Sequence, residues 1–170
     1  IESNPIYYIS ANLKDDNLKF YNFVDRNGKS NFYDQNGKSS KKTLMKTPLN
    51  GARLSSGFGN RKHPILGFTK MHRGVDFAAP VGTPIFAAGD GIIEYSGWNG
   101  SYGKYIRIKH NGTFKTAYAH LSKIYKKRGT RIKQGDIIGT LGSTGRSTGP
   151  HLHYEILISG KQVNPLRIKL

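Results

Sequence analysis

Apolar residues in this chain come in short bursts that alternate with polar ones, and they rarely recur at every third or fourth position. Leu18–Val24, Asn31–Asp34 and Leu44–Lys46 open the series. After Gly51 follow Pro84–Ala88, Gly91–Ser96, Tyr105–His110, Phe114–Leu121, Asp136–Leu141 and His151–Ser159. Turn formers separate them, among them Gly89-Asp90, Asn99-Gly100 and Asn111-Gly112. Only Leu121–Arg128 approaches a helical period, and Gly129 stops it. The pattern predicts an all-β protein.

The pattern also divides the chain. Asp25-Arg26-Asn27-Gly28-Lys29-Ser30 and Asp34-Gln35-Asn36-Gly37-Lys38-Ser39 nearly repeat each other, and Asn-Gly is a strong hairpin signal because both turn positions need positive φ. Residues 1–47 therefore read as a small β-meander plus linker. Its few large apolar residues make a poor independent core, so the segment is expected to be the tail of a truncated N-terminal domain. The stretch Thr47-Pro48-Leu49-Asn50-Gly51 has the punctuation of a linker, and residues 48–170 read as the principal domain.

Composition narrows the chemistry. A formal charge of +17 over 170 residues implies attraction to polyanions such as nucleic acid, anionic lipid or an acidic wall polymer. Aromatic residues are present, but neither an RNP-like pattern nor a long basic helix is, so nucleic acid is not an expected partner. The absence of cysteine excludes disulfides, thiolate zinc sites and cysteine nucleophiles. No apolar run reaches the ~20 residues of a membrane helix. HExxH, GxSxG and a phosphate-loop GK[ST] ending are all missing.

Histidines carry the remaining signal. In a strand, His151 and His153 project from one face roughly 6.5–7 Å apart, while Leu152 points into the core. Two imidazoles on a rigid element suit a metal site. His72 and Asp76 offer another nitrogen and an oxygen, on backbone that Gly74, Val75 and Phe77 make extended or turning. His120 shares a strand face with Tyr118 by simple alternation. His63 and His110 have sufficient readings as a loop residue and a strand-end residue.

On these residues the chain resembles the lysostaphin/LytM-type zinc metallopeptidases of peptidoglycan. The resemblance runs from about Pro48 to Leu166. It covers Ser56-Gly57-Phe58-Gly59-Asn60-Arg61, His63-Pro64, His72-Arg73-Gly74-Val75-Asp76, Ala79–Pro84, Tyr118-Ala119-His120-Leu121 and Gly142–His153. It implies a mainly antiparallel twisted sheet, of the duplicated-hybrid-motif kind, with a groove walled by loops. Residues 60–71, 96–104 and 143–149 are the candidate walls. It makes His72, Asp76 and His153 the ligands of one Zn2+ per chain, leaving a fourth position for water, and His120 and His151 the catalytic histidines. Zinc would bring that water's pKa towards ~7, and one or other histidine would accept its proton or steady the oxyanion. Arg61 and Arg146 are candidates to grip a substrate carboxylate.

The N-terminal run-in resembles that of larger Gram-negative-type members. That favours cross-linked muropeptides joined by D-alanyl–diaminopimelate bonds as substrate, and a periplasmic or cell-envelope location. It also implies a regulatory N-terminal domain outside this chain. A monomer is expected. The competing reading is a non-enzymatic wall-binding or amidase-activator module using the same groove, and the intact ligand set argues against it.

Overall fold

The computed structural model describes residues 8–13, 16–24, 30–34, 44–62 and 69–168, in two compact units, Ile1–Thr43 and Leu44–Leu170. The first unit pairs β1 (Tyr8–Leu13), β2 (Asp16–Val24) and β3 (Ser30–Asp34) as an antiparallel sheet. Tyr8, Tyr21 and Tyr33 stand opposite one another across it. β1 is absent from the sequence prediction, since its polar Ser-Ala-Asn centre becomes a strand only by pairing with β2. The two Asn-Gly turns lie outside the described residues.

Among the described residues the second unit carries twelve strands: β4 (Arg53–Ser56), β5 (Gly59–Lys62), β6 (Thr69–His72), β7 (Val75–Ala78), β8 (Pro84–Phe86), β9 (Gly91–Trp98), β10 (Lys104–Lys109), β11 (Phe114–Ile124), β12 (Arg131–Ile132), β13 (Ile137–Leu141), β14 (His151–Ile158) and β15 (Lys161–Val163). The main path is β12-β9-β10-β11-β14-β7-β4. β13 and β8 branch from β11, β15 adds to β14, and β5 pairs with β6 separately. All pairings are antiparallel, and the described residues contain no α-helix, only a 3-10 turn at Gly100–Tyr102. The all-β, antiparallel expectation holds.

Alternation sorts the side chains. On β14, Leu152, Tyr154 and Ile156 are fully buried in the main core with Ile85, Ile93, Ile106, Ile108, Tyr118, Leu121 and Leu141. Each such side chain contributes about 1.5–3 kcal/mol by leaving water. The opposite face of β14 presents His151, His153, Glu155 and Leu157, and there Leu157 joins Tyr105, Ala117 and Ala119 in a smaller cluster. Residues 44–51 differ from their sequence reading. Leu44 is fully buried and Leu49 almost so; Met45 N–H donates to Ala88 O, and Tyr154 O–H donates to Met45 O. Irregular backbone here caps the second unit's core in place of the expected strand at Leu44–Lys46, and the burial of Leu44, Met45 and Leu49 outweighs the Pro and Gly that suggest a linker.

One departure from regular pairing matters most. Ile106 of β10 pairs with Tyr118 of β11, but Lys104, two residues back, pairs with Leu121, three residues on. Ala119 and His120 thus oppose the single residue Tyr105, a β-bulge. His120 takes the left-handed φ of 61° there. Such backbone costs a non-glycine residue on the order of 1–2 kcal/mol. The extra residue puts Tyr118 and Leu121 into the core while His120 turns to the opposite face, so the simple alternation that grouped His120 with Tyr118 fails.

Candidate metal centre

His72 ends β6, Asp76 sits in β7, and a two-residue turn, Arg73-Gly74, joins them. β7 runs beside β14 with Asp76 opposite His153. The three side chains converge: His72 Nε2 lies 3.0 Å from Asp76 Oδ1 and 3.0 Å from His153 Nδ1, and His153 Nδ1 lies 2.8 Å from Asp76 Oδ1. Gly74 makes the approach possible. A Cβ there would stand 2.5 Å from Tyr154 O and 2.8 Å from His153 Cε1.

The donor set fits a metal ion. Bonds of ~2.0–2.1 Å at tetrahedral angles place donor atoms about 3.3 Å apart, so the observed triangle needs only a few tenths of an ångström of expansion. The remaining ring nitrogens are already engaged. His72 Nδ1–H donates to Gly57 O at 2.6 Å, and His153 Nε2–H donates to Glu155 Oε1 at 3.0 Å. Each bond fixes the tautomer that turns a lone pair toward the shared point.

Glu155 is buried and itself held in place. Its Oε1 also accepts Tyr102 O–H at 2.9 Å, and Gln162 Nε2 approaches Oε2 at 3.3 Å. Burial raises the carboxyl pKa, but His153, Tyr102 and Gln162 overcome that and leave it lowered. For His153, burial opposes the charged ring, yet hydrogen bonds with Asp76 and Glu155 prevail and hold its pKa up at about 9. Burial and the neighbouring Glu155 push the Tyr102 phenol well above its usual range, so it remains a donor.

His120 and His151 stand beside this triad, their rings 4.6 Å apart, with His120 6.2 Å from the His153 ring. Both are anchored through Nδ1 to backbone carbonyls, His120 to Thr144 O and His151 to Gly149 O, each at 2.8 Å. Neutral rings held this way keep an Nε2 lone pair to accept a proton. Burial lowers the His120 pKa; the Thr144 carbonyl opposes this, and the nearby His151 and His153 add to it.

Two of the candidate wall loops are joined. Arg146 N–H donates to Ser101 O, and Lys104 N–H donates to Thr144 Oγ1. Gly103 and Gly145, at φ 65° and 74°, touch backbone to backbone. A Cβ on Gly145 would lie 2.4 Å from Gly103 N, and one on Gly103 would lie 2.4 Å from Thr144 C. This contact supports Tyr102 on one side and Thr144 on the other, and so serves both Glu155 and His120.

The structure thus brings together His72, Asp76, His153, His120 and His151. Arg146 is exposed on the 143–149 loop. Arg61 pairs with Lys70 in the β5–β6 ladder; its side chain, with His63 and the rest of 63–68, lies outside the described residues. His110 is structural, its ring held by Asp90 O and Thr116 Oγ1 at 2.7 Å each. Glu155 and Tyr102 are absent from the sequence prediction. Glu155 had a usable signal, two residues beyond His153 on the same strand face. Tyr102 had none, since it arrives from a loop 53 residues away.

The sequence profile of peptidase family M23 matches residues 70–165. Peptidoglycan DD-endopeptidase ShyC of Vibrio cholerae is 48% identical over 159 residues, covering 93% of this chain and 34% of that protein. A zinc-containing peptidase from Vibrio cholerae superposes with a TM-score of 0.73 at 36% identity, covering 98% of this chain and 51% of the other. The catalytic domain of lysostaphin from Staphylococcus simulans does so with a TM-score of 0.63 at 37% identity, covering 69% of this chain and 91% of the other. The chain spans about a third of the length of the curated relatives it matches.

Proposed function

From the premise that the chain belongs to peptidase family M23, we propose that it is a zinc-dependent endopeptidase that hydrolyses the peptide cross-links of peptidoglycan outside the cytoplasm. The observation that carries this reading is the pair His120 and His151, each tied to a backbone carbonyl through Nδ1 beside the convergent donors of His72, Asp76 and His153. A purely structural metal site needs no such pair. A wall-binding module does not need the pair either.

When bound, zinc supplies Lewis acidity that acidifies water and polarises a carbonyl. The protein's own part is positional. His72, Asp76 and His153 would hold the ion, and Glu155 fixes the His153 ring. One of His120 and His151 accepts a proton at Nε2 as the tetrahedral centre forms. The other, as its conjugate acid, donates to the oxyanion or the leaving amine. Arg146 is assigned to a substrate carboxylate, and so is Arg61.

A D-alanyl–diaminopimelate bond is the favoured target. The similarity to ShyC, named as a DD-endopeptidase, extends through most of the first unit, while that to the lysostaphin catalytic domain covers 69% of the chain. Metal analysis combined with mass spectrometry of products from defined cross-linked muropeptides tests the proposal. One zinc per chain and cleavage at the D-alanyl cross-link are expected. Zinc with no released product, or release from glycine bridges alone, overturns it.

A further inference from the structure

The face of the sheet that carries the metal centre continues beyond it. Along β11, Ala119 pairs with His153 and Ala117 with Glu155; Lys115 is next on that face, four residues from Ala119 and about 13 Å away at strand rise. Lys115 stands opposite Lys109 of β10, Lys109 opposite Ile92 of β9, and Ile92 opposite Arg131 of β12. Residues directly opposite in a ladder share a face, so one row crosses four strands as Lys-Lys-Ile-Arg. At the end of this row lies a cavity of about 620 Å³, lined by Ile92, Lys109, Arg131 and Lys133 together with Asp90 and His110.

The charges here have different standings. Lys115 and Arg107 are taken by Glu94, at 2.7 and 2.6 Å. Among the described residues no ion pair joins Lys109, Arg131 or Lys133 to a carboxylate. Asp90 Oδ1 accepts Gln134 N–H at 2.8 Å, and Asp136 Oδ2 accepts Lys133 N–H at 2.8 Å. Both His110 ring nitrogens are engaged, which makes it wall and not ligand. Residues 44–170 hold 20 Lys and Arg against five Asp and Glu, and two of those five, Asp76 and Glu155, serve the metal centre. Six of the cations fall within residues 123–133 with no acid among them, and the connection they form lies along β9, Gly129 N–H donating to Ile93 O. Three cations with no ion pair among the described residues, set around a half-exposed isoleucine, make a concave site for carboxylates.

We propose that this cavity is a second binding site, which takes carboxylates of peptide stems neighbouring the one being cut. It rests on the reading of the substrate as peptidoglycan, whose stems carry free carboxylates. A polymer lying over the sheet face is then held at two points, the metal centre and the Lys109–Arg131–Lys133 cavity. Short cross-linked fragments reach only the first.

The test uses the full chain and the triple substitution K109Q/R131Q/K133Q. Binding to purified sacculi in the presence of chelator is measured against salt, with native sacculi and with sacculi whose carboxylates are amidated. The variant is expected to bind native sacculi about tenfold more weakly, the combined size of three exposed charge contacts. Its salt dependence should be shallower. On amidated sacculi wild type and variant should bind alike, and on a short soluble cross-linked fragment kcat and KM should not change. The charge-conserving triple K109R/R131K/K133R should bind as wild type does, which separates lost charge from lost fold. Equal binding of variant and wild type to native sacculi overturns the proposal, as does an undiminished gap after amidation. Failure of wild type to cut the soluble fragment refutes the assigned reaction instead, and the binding contrast still decides the cavity.

Discussion

Replacing Glu155 by Gln keeps the shape of a side chain whose Oε1 accepts both His153 Nε2–H and Tyr102 O–H, and removes its charge. Two consequences can be sized. In the metal-bound protein the carboxylate makes His153 more basic and fixes its ring, and partners of this kind are worth 10–100-fold in metal affinity, about 1.4–2.7 kcal/mol. In the metal-free protein the His153 pKa stands at about 9 instead of 6.5, a stabilisation on the order of 3 kcal/mol shared between Asp76 and Glu155. Because the folded pKa is raised, that stabilisation is complete below pH 6.5 and is lost as pH climbs through about 9. Glu155→Gln should therefore destabilise the metal-free protein most near pH 6, by ~1–2 kcal/mol, with the gap to wild type closing above pH 9. Chelator competition reads the zinc Kd, and urea unfolding at pH 6 and 9.5 reads the gap. Zinc affinity within twofold of wild type, or a gap indifferent to pH, would refute the assignment of Glu155 as the partner that orients His153.

His120→Ala and His151→Ala should each retain zinc yet lose roughly 100-fold or more in kcat, checked by metal analysis and turnover on a soluble cross-linked fragment. Since burial lowers the His120 pKa, the ring stays neutral to below pH 6.5, and the acid limb of kcat/KM should fall below that value; a limb above pH 7 would exclude His120 as the base. Gly145→Ala should cost about 2 kcal/mol or more, from positive φ and from the 2.4 Å approach to Gly103 N, and should lower kcat with it; an unchanged urea midpoint would count against the loop contact. Tyr118→Phe leaves the Ala88 N–H, now 2.8 Å from the phenol oxygen, without its partner in the core, and should cost about 1–3 kcal/mol in urea unfolding.

How much of this was legible in the sequence depends on the range of each interaction. The alternation in His151-Leu152-His153 is local, so it gave the correct faces: Leu152 is fully buried and both imidazoles share the open side. The strands from Gly91 to Ser159 followed from the same rule. β4, β5, β12 and β15 are short and polar, and pairing makes them strands. The joining of the 96–104 and 143–149 loops was illegible because a glycine's need for room depends on what arrives opposite it. Residues 44–49 carry the punctuation of a linker, and only the core they dock on shows that Leu44, Met45 and Leu49 override it. His120 was placed on the wrong face for a different reason: nothing in Tyr-Ala-His-Leu marks the point where a strand takes on one residue too many.

That surplus residue has a consequence for how activity can be gained or lost in descent. With β11 one residue shorter between Tyr118 and Leu121, the alternation would be regular with only one side chain on the metal-centre face, and loss of the His120 codon would leave that place to Ala119. His72, Asp76 and His153 lie on other strands and would be untouched. A single in-frame codon deletion would therefore be enough to turn a hydrolase into a metal-binding protein without turnover, with every ligand still in place. Inspection of ligand positions alone would miss such a lineage, while the length of this one strand would reveal it.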